Sequence, residues 1–338
     1  MVRLDEDPSR AQIVLVGALA IAFIVLGIVV VFNTSLYAEN VDSTGTVSSV
    51  NQAEQVRHAG GDSVAGVAYR VNDGTFSSKA PGAGAAVESN VSNLSAVWQE
   101  LNAQSSPVVA NISFNATEPA TDYGVRVYQD TTANFENRSN QGNWSLTPTG
   151  STYSDVGRFE MTLERDSLET TPDDAFHLAA LGGDASSGEF WRVVRFVNDS
   201  GSLDVYVDAG SGTAPSGWED GTGSVPAGCD DLAVGSTFDV DMLNGSIEGT
   251  SCTFEFTDDM AFVPGTDGYK VKFRDAGNVT GQYDAHLSTT AFDSVGAPAA
   301  AAPNYSYIVW GAGVDIEYGS PTASYTRTVT VPVYNSTR

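Results

Sequence analysis

Two cysteines have the most predictable chemistry in this chain. Cys229 and Cys252 enclose 22 residues, and the chain has no other cysteine. In an extracytoplasmic domain, two thiols form a disulfide more often than they stay free. A zinc site is disfavoured because no histidine lies near either cysteine. The sequence therefore predicts a disulfide that pins the loop around Asp230, worth about 3 kcal/mol by loop entropy.

Asparagines that could accept a glycan form a larger set. Of the 18 asparagines, 12 begin Asn-x-Ser/Thr without an intervening proline, whereas chance would give roughly four. These are Asn33, Asn90, Asn93, Asn111, Asn115, Asn137, Asn143, Asn198, Asn244, Asn278, Asn304 and Asn335. The excess predicts an N-glycosylated surface on which several of these sites, but not all, are used. The alternative is that Asn, Ser and Thr are simply common in the turns of secreted β-proteins.

One group of side chains with oxygen ligands has a spacing that partly matches a calcium-binding loop. The residues are Asp239, Asp241, Asn244 and Glu248. Oxygen ligands at such spacing are typical of calcium loops, but Leu243 occupies a ligand position and the glycine comes one residue late. Asp230 with Asp231, and Asp258 with Asp259, are further pairs that could bind a hard cation. We interpret these acids as solvated surface charge, and predict no metal site and no cofactor.

Catalytic motifs do not emerge. The three histidines, His58, His177 and His286, lie far apart in sequence, and no metalloprotease, nucleophile-elbow or phosphate-loop motif is present. Each histidine is expected to be an ordinary polar or half-buried residue. No catalytic residue is predicted, and we expect a protein that is not an enzyme. A hydrolase site assembled from distant loops would require a polar cleft with perturbed carboxylates.

The N-terminal region contains an apolar segment long enough to span a membrane. Ala11 to Phe32 is a run of 22 residues without a charge, and about 20 apolar residues cross the hydrocarbon core as a helix. Arg3 and Arg10 precede this run, and no Lys or Arg follows it before Arg57. The positive-inside rule therefore predicts a single-pass anchor with a cytoplasmic N-terminus and an extracellular ectodomain.

The junction before this segment has a second interpretation. Arg10-Ala11-Gln12 resembles the processing site of archaeal type IV pilin precursors, in which a short charged leader is removed ahead of the apolar helix. In that case residues 1–10 would be a leader and Ala11 the first mature residue. The alternative is a plain signal anchor that retains Met1 to Arg10. The glutamate found early in the helix of many pilins is missing, which favours a minor or pilin-like subunit.

Two helical segments are predicted in residues 33–106. The stretch from 48 to 70 has helical character, but its glycines indicate a weak, interrupted helix that would form a stalk. The second has an apolar face formed by Val87, Val91, Leu94, Trp98 and Leu101. Residues 76–86, rich in Ser, Gly, Pro and Ala, are predicted to be a loop between them.

Residues 107–338 alternate apolar and polar side chains, which is typical of strands with one buried face. Alternation is clear in four runs and at the C-terminus, where Pro332 indicates an edge strand. The runs are Phe159 to Leu163, Leu203 to Val207, Cys252 to Phe256, Tyr269 to Phe273 and Val329 to Val333. Hairpins are predicted around 198–201 and around 275–278. About ten short strands of this kind predict an antiparallel, sandwich-like β-domain.

The net charge of −26 excludes one class of function. Phosphate backbones would be repelled, so nucleic acid is not an expected partner. Aspartate outnumbers glutamate 27 to 15, and lysine occurs only three times. This composition is typical of proteins that stay hydrated in strong salt, where Coulomb repulsion is screened, and it resembles a haloarchaeal proteome.

Four segments together resemble an uncharacterised family of haloarchaeal secreted proteins with pilin-like N-termini. They are Arg10-Ala11-Gln12, VVVFNTSLYAENV at 29–41, GVRVYQD at 124–130 and YTRTVTVPVYN at 325–335. The resemblance implies cell-surface display and possible pilin-like assembly with other subunits or envelope proteins. The first hypothesis is therefore a pilin-like or minor-pilin-like structural subunit. The second is a non-polymerising, membrane-anchored surface glycoprotein that acts as an adhesin or binding module.

Overall fold

The computed structural model describes residues 25, 28–29, 51, 53–105, 109–146, 155–182, 190–211, 223–257, 269–288, 303–320 and 324–334. Helix α1 covers residues 53–71, and α2 is Ala85–Ser105. One turn of π-helix, Lys79–Gly84, leads into α2, so the loop predicted for residues 76–86 is wrong over residues 79–86, which are helical. The predicted face of α2 is confirmed at Val87 and Val91, which are buried.

The described residues form 13 strands, and all pairings between them are antiparallel, as predicted. The strands are β1 (Val109–Phe114), β2 (Asp122–Asn134), β3 (Trp144–Ser145), β4 (Val156–Glu164), β5 (His177–Gly182), β6 (Phe190–Asp199), β7 (Ser202–Ser211), β8 (Thr237–Asp241), β9 (Ser246–Ile247), β10 (Tyr269–Arg274), β11 (Thr280–Leu287), β12 (Asn304–Gly319) and β13 (Ser324–Pro332).

Sheet A contains eight strands, and its longest member, β12, organises one side of it. The first half of β12 pairs with β2, and its second half pairs with both β1 and β13, which must therefore lie on opposite edges of it. From β2 the sheet continues through β11, β4 and β8 to β9. Among the described strands β13 pairs with β12 alone, and Pro332 is its last residue, in agreement with the predicted edge position.

Sheet B contains five strands in the order β3-β10-β5-β6-β7. The predicted hairpin around residues 198–201 is confirmed, because β6 and β7 pair along their length. The turn between them is only Ser200 and Gly201, whose φ angles of 53° and 102° are both positive. Positive φ at both central residues matches a type I′ turn, whose twist suits the flanking strands.

Both sheets contribute to one hydrophobic core. Phe159 and Tyr283 from sheet A meet Phe273 from sheet B, with ring centroids 6.2 and 5.3 Å from Phe273. The alternation predicted for β4 is confirmed: Phe159, Met161 and Leu163 are buried, and the residues between them are exposed or half-buried. The two sheets thus face each other as a sandwich across aromatic and aliphatic side chains.

Helices α1 and α2 pack on the face of sheet A that points away from sheet B. Their residues Val64, Ala68, Val87 and Val91 share a second core with β1 and β12. A stalk is expected to project away from the domain, whereas the described helices lie on the sheet. A β-carbon at Gly60 would lie 2.7 Å from Cδ1 of Ile112. Gly60 therefore permits close packing, and the helix is uninterrupted over residues 53–71.

Two other expectations are wrong. Residues 275–278 do not close a hairpin, because β10 pairs within sheet B and β11 within sheet A. Ala276 and Val279 are buried where the chain crosses between the sheets. The run from Cys252 to Phe256 alternates in burial as predicted. Its only bridge within the described residues is Thr253 with Ser246, so it is an extended segment and not a ladder strand.

No helix in the described part of the chain is both long enough and apolar enough to cross a membrane. The segment predicted to do so, residues 11–32, lies outside that part except for three residues. Val25, Ile28 and Val29 are helical, and each is more than half exposed. The predicted processing site at Arg10 and Ala11 also lies outside the described residues.

Candidate functional site

The predicted disulfide is present. Cys229 and Cys252 are bonded, with an S–S distance of 2.03 Å, and both are buried. The backbone N–H of Val205 donates to the carbonyl of Cys229 at 3.0 Å, which ties this loop to edge strand β7 of sheet B. Cys252 follows β9, the last strand of sheet A. The disulfide therefore links the edges of the two sheets on one side of the sandwich.

A network of charged side chains lies on the helical face of sheet A, where α1 ends. Its centre is a bidentate ion pair in which Nε and Nη2 of Arg126 donate to the two carboxylate oxygens of Asp284 at 2.9 and 3.0 Å. Both side chains are less than one fifth exposed. The guanidinium group also stacks on the ring of Tyr128, 4.2 Å from its centroid. β2 and β11 are paired so that Asp284 lies opposite Tyr128, which places its carboxylate diagonally across from Arg126.

Arg158 extends this network to the end of α1. Its Nη1 donates to Oδ1 of Asp73 at 2.6 Å, and its Nη2 donates to Oε2 of Glu160 at 2.7 Å. Arg126 also donates to the backbone carbonyl of Asp73. Two arginines of sheet A thus hold the turn that follows α1.

A second branch joins the start of this turn to the C-terminal region. Nδ2 of Asn72 donates to the hydroxyl oxygen of Tyr334 at 2.7 Å. That hydroxyl lies 2.5 Å from Nδ1 of His286, to which it donates when the imidazole proton is on Nε2. Nε2 of His286, which then carries the imidazole proton, lies 3.2 Å from Oδ1 of Asp284. The Tyr334 side chain packs against Gly157, where a β-carbon would lie 2.3 Å from its Cγ. Asn72 also pairs with the backbone of Val309.

Burial and pairing set the protonation states of this branch. Burial, the largest effect, lowers the pKa of His286 and outweighs the attraction of the nearby Asp284 carboxylate, so the imidazole is neutral. Burial alone would raise the pKa of Asp284, but the neighbouring His286 imidazole and the paired Arg126 guanidinium together hold it well below the ordinary value of 3.8. Burial raises the pKa of Tyr334, so its hydroxyl keeps its proton. The branch is therefore a chain of neutral polar groups that ends beside a carboxylate.

Asp73, Asp284 and His286 bring ligand atoms within 4.8 Å of one another, which is close enough for a metal ion. However, both carboxylates already accept hydrogen bonds from guanidinium groups, and His286 is fully buried. A cation would have to displace Arg158 from Asp73 and Arg126 from Asp284. The donor set therefore fits a hydrogen-bonded ion-pair network better than a metal site.

Beside this network, an open groove of about 590 Å³ crosses β2, β11, β4 and β8. Its lining includes three of the four residues considered for calcium, Asp239, Asp241 and Glu248. Asp241 accepts the backbone N–H groups of Leu243 and Asn244 at 3.1 and 2.9 Å, so it closes the turn between β8 and β9. Asp239 accepts the hydroxyl of Thr162 at 2.5 Å. These acids thus have structural partners, and the groove presents a polar, acidic surface.

Ten of the twelve sequon asparagines are among the described residues, and none of the ten is buried. Asn33 and Asn335 lie outside the described residues. Five are exposed: Asn90, Asn93, Asn143, Asn244 and Asn278. Five are half-buried: Asn111, Asn115, Asn137, Asn198 and Asn304.

Sequence reasoning missed the network around His286. It treated His286 as half-buried, and it assigned no role to Asn72, Asp284 or Tyr334. Asn72 and Tyr334 are 262 residues apart in the chain, so no local pattern connects them. The one available signal was the alternation of Asp284 and His286, which places both on one face of β11.

The chain matches the model of a family of unknown function, DUF7261, over residues 7–141. This range includes the whole apolar N-terminal segment, both helices, β1 and β2. Neither the curated proteins nor the solved structures searched contain a match to the chain.

Proposed function

We propose that the protein is a cell-surface structural subunit, pilin-like or minor-pilin-like, which is anchored or assembled through the predicted helix at 11–32. The observation that carries the proposal is the uncharged run from Ala11 to Phe32 directly after Arg10, ahead of a disulfide-linked, acidic β-domain. The helical residues Val25, Ile28 and Val29 support it, because their side chains are exposed and so free to contact lipid or other subunits.

The β-domain would be displayed outside the cell, with the N-terminus inside. Arg3 and Arg10 support this orientation. The disulfide supports it too, because such bonds persist in oxidising compartments. The membrane and other pilin-like subunits or envelope proteins are the proposed partners, and the chain would act without catalysis. In support of a non-catalytic role, His286 and His177 are buried and so cannot contact a substrate directly.

Mass spectrometry of the N-terminal peptide tests this proposal. Chain isolated from haloarchaeal membranes should begin at Ala11, and the variant Arg10→Ala should keep residues 1–10. Arg3→Ala, in the same leader but outside the junction, is the matched control and should be processed normally. Sedimentation of sheared surface filaments should recover the processed chain. A wild-type chain that retains Met1 to Arg10 overturns the pilin-like assignment.

The second candidate is a non-polymerising, membrane-anchored surface glycoprotein that acts as an adhesin or binding module. The groove over β2, β11, β4 and β8 favours it, because an open polar cavity of about 590 Å³ can take a ligand. Retention of residues 1–10, together with absence from filaments and display on intact cells, would support this candidate over the first.

A further inference from the structure

The sequon asparagines differ in what their side-chain amides do in the folded chain. Asn111 is integrated in the fold: its Oδ1 accepts from Ser95 Oγ at 3.1 Å and from Gln99 Nε2 at 3.0 Å, both on α2. Its Nδ2 donates to Glu317 of β12 at 3.3 Å. A sugar attached to this nitrogen would have to fit between α2 and the sheet and would break these contacts.

Asn143 and Asn278 are in the opposite situation. Both are exposed, and neither Nδ2 donates a hydrogen bond within the described part of the chain. The Oδ1 of Asn143 accepts the backbone N–H of Asp275 at 2.7 Å, which fixes the amide while leaving its nitrogen available. The two asparagines line the same open, polar cavity of about 620 Å³. A glycan on either nitrogen would extend into solvent without displacing a structural contact.

These two residues also share a position on the sandwich. The loops that carry them join where β2 ends and β11 begins: Phe135 donates to the carbonyl of Val279 at 3.2 Å, and Ala276 to that of Gly142 at 3.3 Å. Arg138, in the same region, donates to the carbonyl of Pro303, next to the start of β12. We call this end of the sandwich the loop pole.

The loop pole lies at the start of β12, whereas the first turns of α1 lie toward the end of β12. Gly60 contacts Ile112, which pairs with Ile316 near the end of β12, whereas Asn72 pairs with Val309 nearer its start. α1 therefore runs antiparallel to β12: it begins near the last residues of β12 and ends near the first residues of β12. With 16 residues, β12 is about 50 Å long at about 3.3 Å per residue. The loop pole is thus remote from the point where the chain enters the domain.

We propose that Asn143 and Asn278 carry N-linked glycans and that Asn111 does not, so that glycans cover the loop pole. This inference rests on the proposed function, because the modification requires export. The donor is an oligosaccharide linked through phosphate to a lipid carrier. Nδ2 attacks C1 of the first sugar, the N–C1 bond forms and the C1–O bond to phosphate breaks. The lipid phosphate leaves with the electron pair, and Nδ2 loses one proton to a base of the transferase or to water.

Site-localising mass spectrometry of glycopeptides from the full chain, expressed in a haloarchaeal host, tests the inference. Glycan mass is expected on Asn143 and on Asn278, and none on Asn111. Asn143→Gln and Asn278→Gln should each remove one glycan from the intact mass. Asn111→Gln is the matched control, and its intact mass should change only by the side-chain difference. A glycan on Asn111, or an unmodified Asn143 or Asn278, overturns the inference.

Protease treatment of intact cells distinguishes failure of the glycan inference from failure of the proposed function. If the β-domain is cleaved from outside while Asn143 and Asn278 are unmodified, display stands and the glycan inference falls. If the β-domain is protected in intact cells and cleaved only after lysis, the proposed function and the inference both fall.

Discussion

The hydroxyl of Tyr334 lies 2.5 Å from Nδ1 of His286, and 48 residues separate the two in sequence. This contact completes the path from Asn72 through His286 to Asp284. Tyr334 follows edge strand β13, and this contact attaches it to strand β11 near the middle of sheet A. The C-terminal region is therefore held by a side-chain network in addition to the β13 ladder.

Tyr334→Phe should destabilise the fold by about 1–3 kcal/mol, because it leaves buried polar groups of Asn72 and His286 without a partner. Chemical denaturation with a two-state fit measures this change. Tyr325→Phe is the matched control: its ring is half-buried and its hydroxyl has no hydrogen bond within the described part of the chain. The control should change stability by less than about 0.5 kcal/mol. Equal effects of the two substitutions would contradict the role assigned to Tyr334.

The buried His286 should make stability fall in mild acid. Its pKa is lowered in the folded chain, whereas the unfolded imidazole titrates near its ordinary value of about 6.5. The unfolded state therefore binds the proton first, and the contribution of His286 is complete above pH 6.5 and lost as pH falls below it. The slope from this one group approaches about 1.4 kcal/mol per pH unit. Asp284, whose pKa is lowered from 3.8, adds a second loss below that value.

Denaturation at several pH values between 7 and 4.5 tests this dependence. His286→Gln should remove most of the loss between pH 6.5 and 5, whatever its effect on stability at pH 7. His58→Gln, at an exposed position on α1, should keep the wild-type slope. An unchanged slope in His286→Gln would show that other groups cause the acid sensitivity.

Local patterns were sufficient to predict part of this fold and insufficient for the rest. β4 and β7 were predictable because alternation along a strand records which face is buried. The segment 275–278 resembles a hairpin turn, yet Ala276 and Val279 are buried as the chain passes between sheets, and turn composition does not distinguish the two cases. The His286 network depends on contacts between residues up to 262 positions apart, which alternation does not encode.

Substitutions at two glycines of α1 test why the sequence predicted only a weak, interrupted helix here. Gly66 has open space around its missing β-carbon, so Gly66→Ala should stabilise the protein by about 1 kcal/mol through helix propensity. At Gly60 the new methyl group would lie 2.7 Å from Cδ1 of the buried Ile112, and overpacking costs about 1–3 kcal/mol. Gly60→Ala should therefore be less stable than Gly66→Ala by at least about 1 kcal/mol in denaturation experiments. Equal gains at both positions would show that α1 does not pack on Ile112.

The disulfide should stabilise the sandwich by reducing the conformational entropy of the unfolded chain and by joining the edges of the two sheets. Replacing both Cys229 and Cys252 with Ala should lower the free energy of unfolding by about 3 kcal/mol. Reduced wild-type protein is the control and should lose stability in the same direction, since it lacks the covalent link but keeps both buried sulfur atoms. Because the link lies between β7 and the segment after β9, hydrogen exchange should increase first in these edge elements and less in β11 and β5 at the sheet centres. Uniformly faster exchange would contradict a local role for the disulfide, and unchanged stability would remove its structural role altogether.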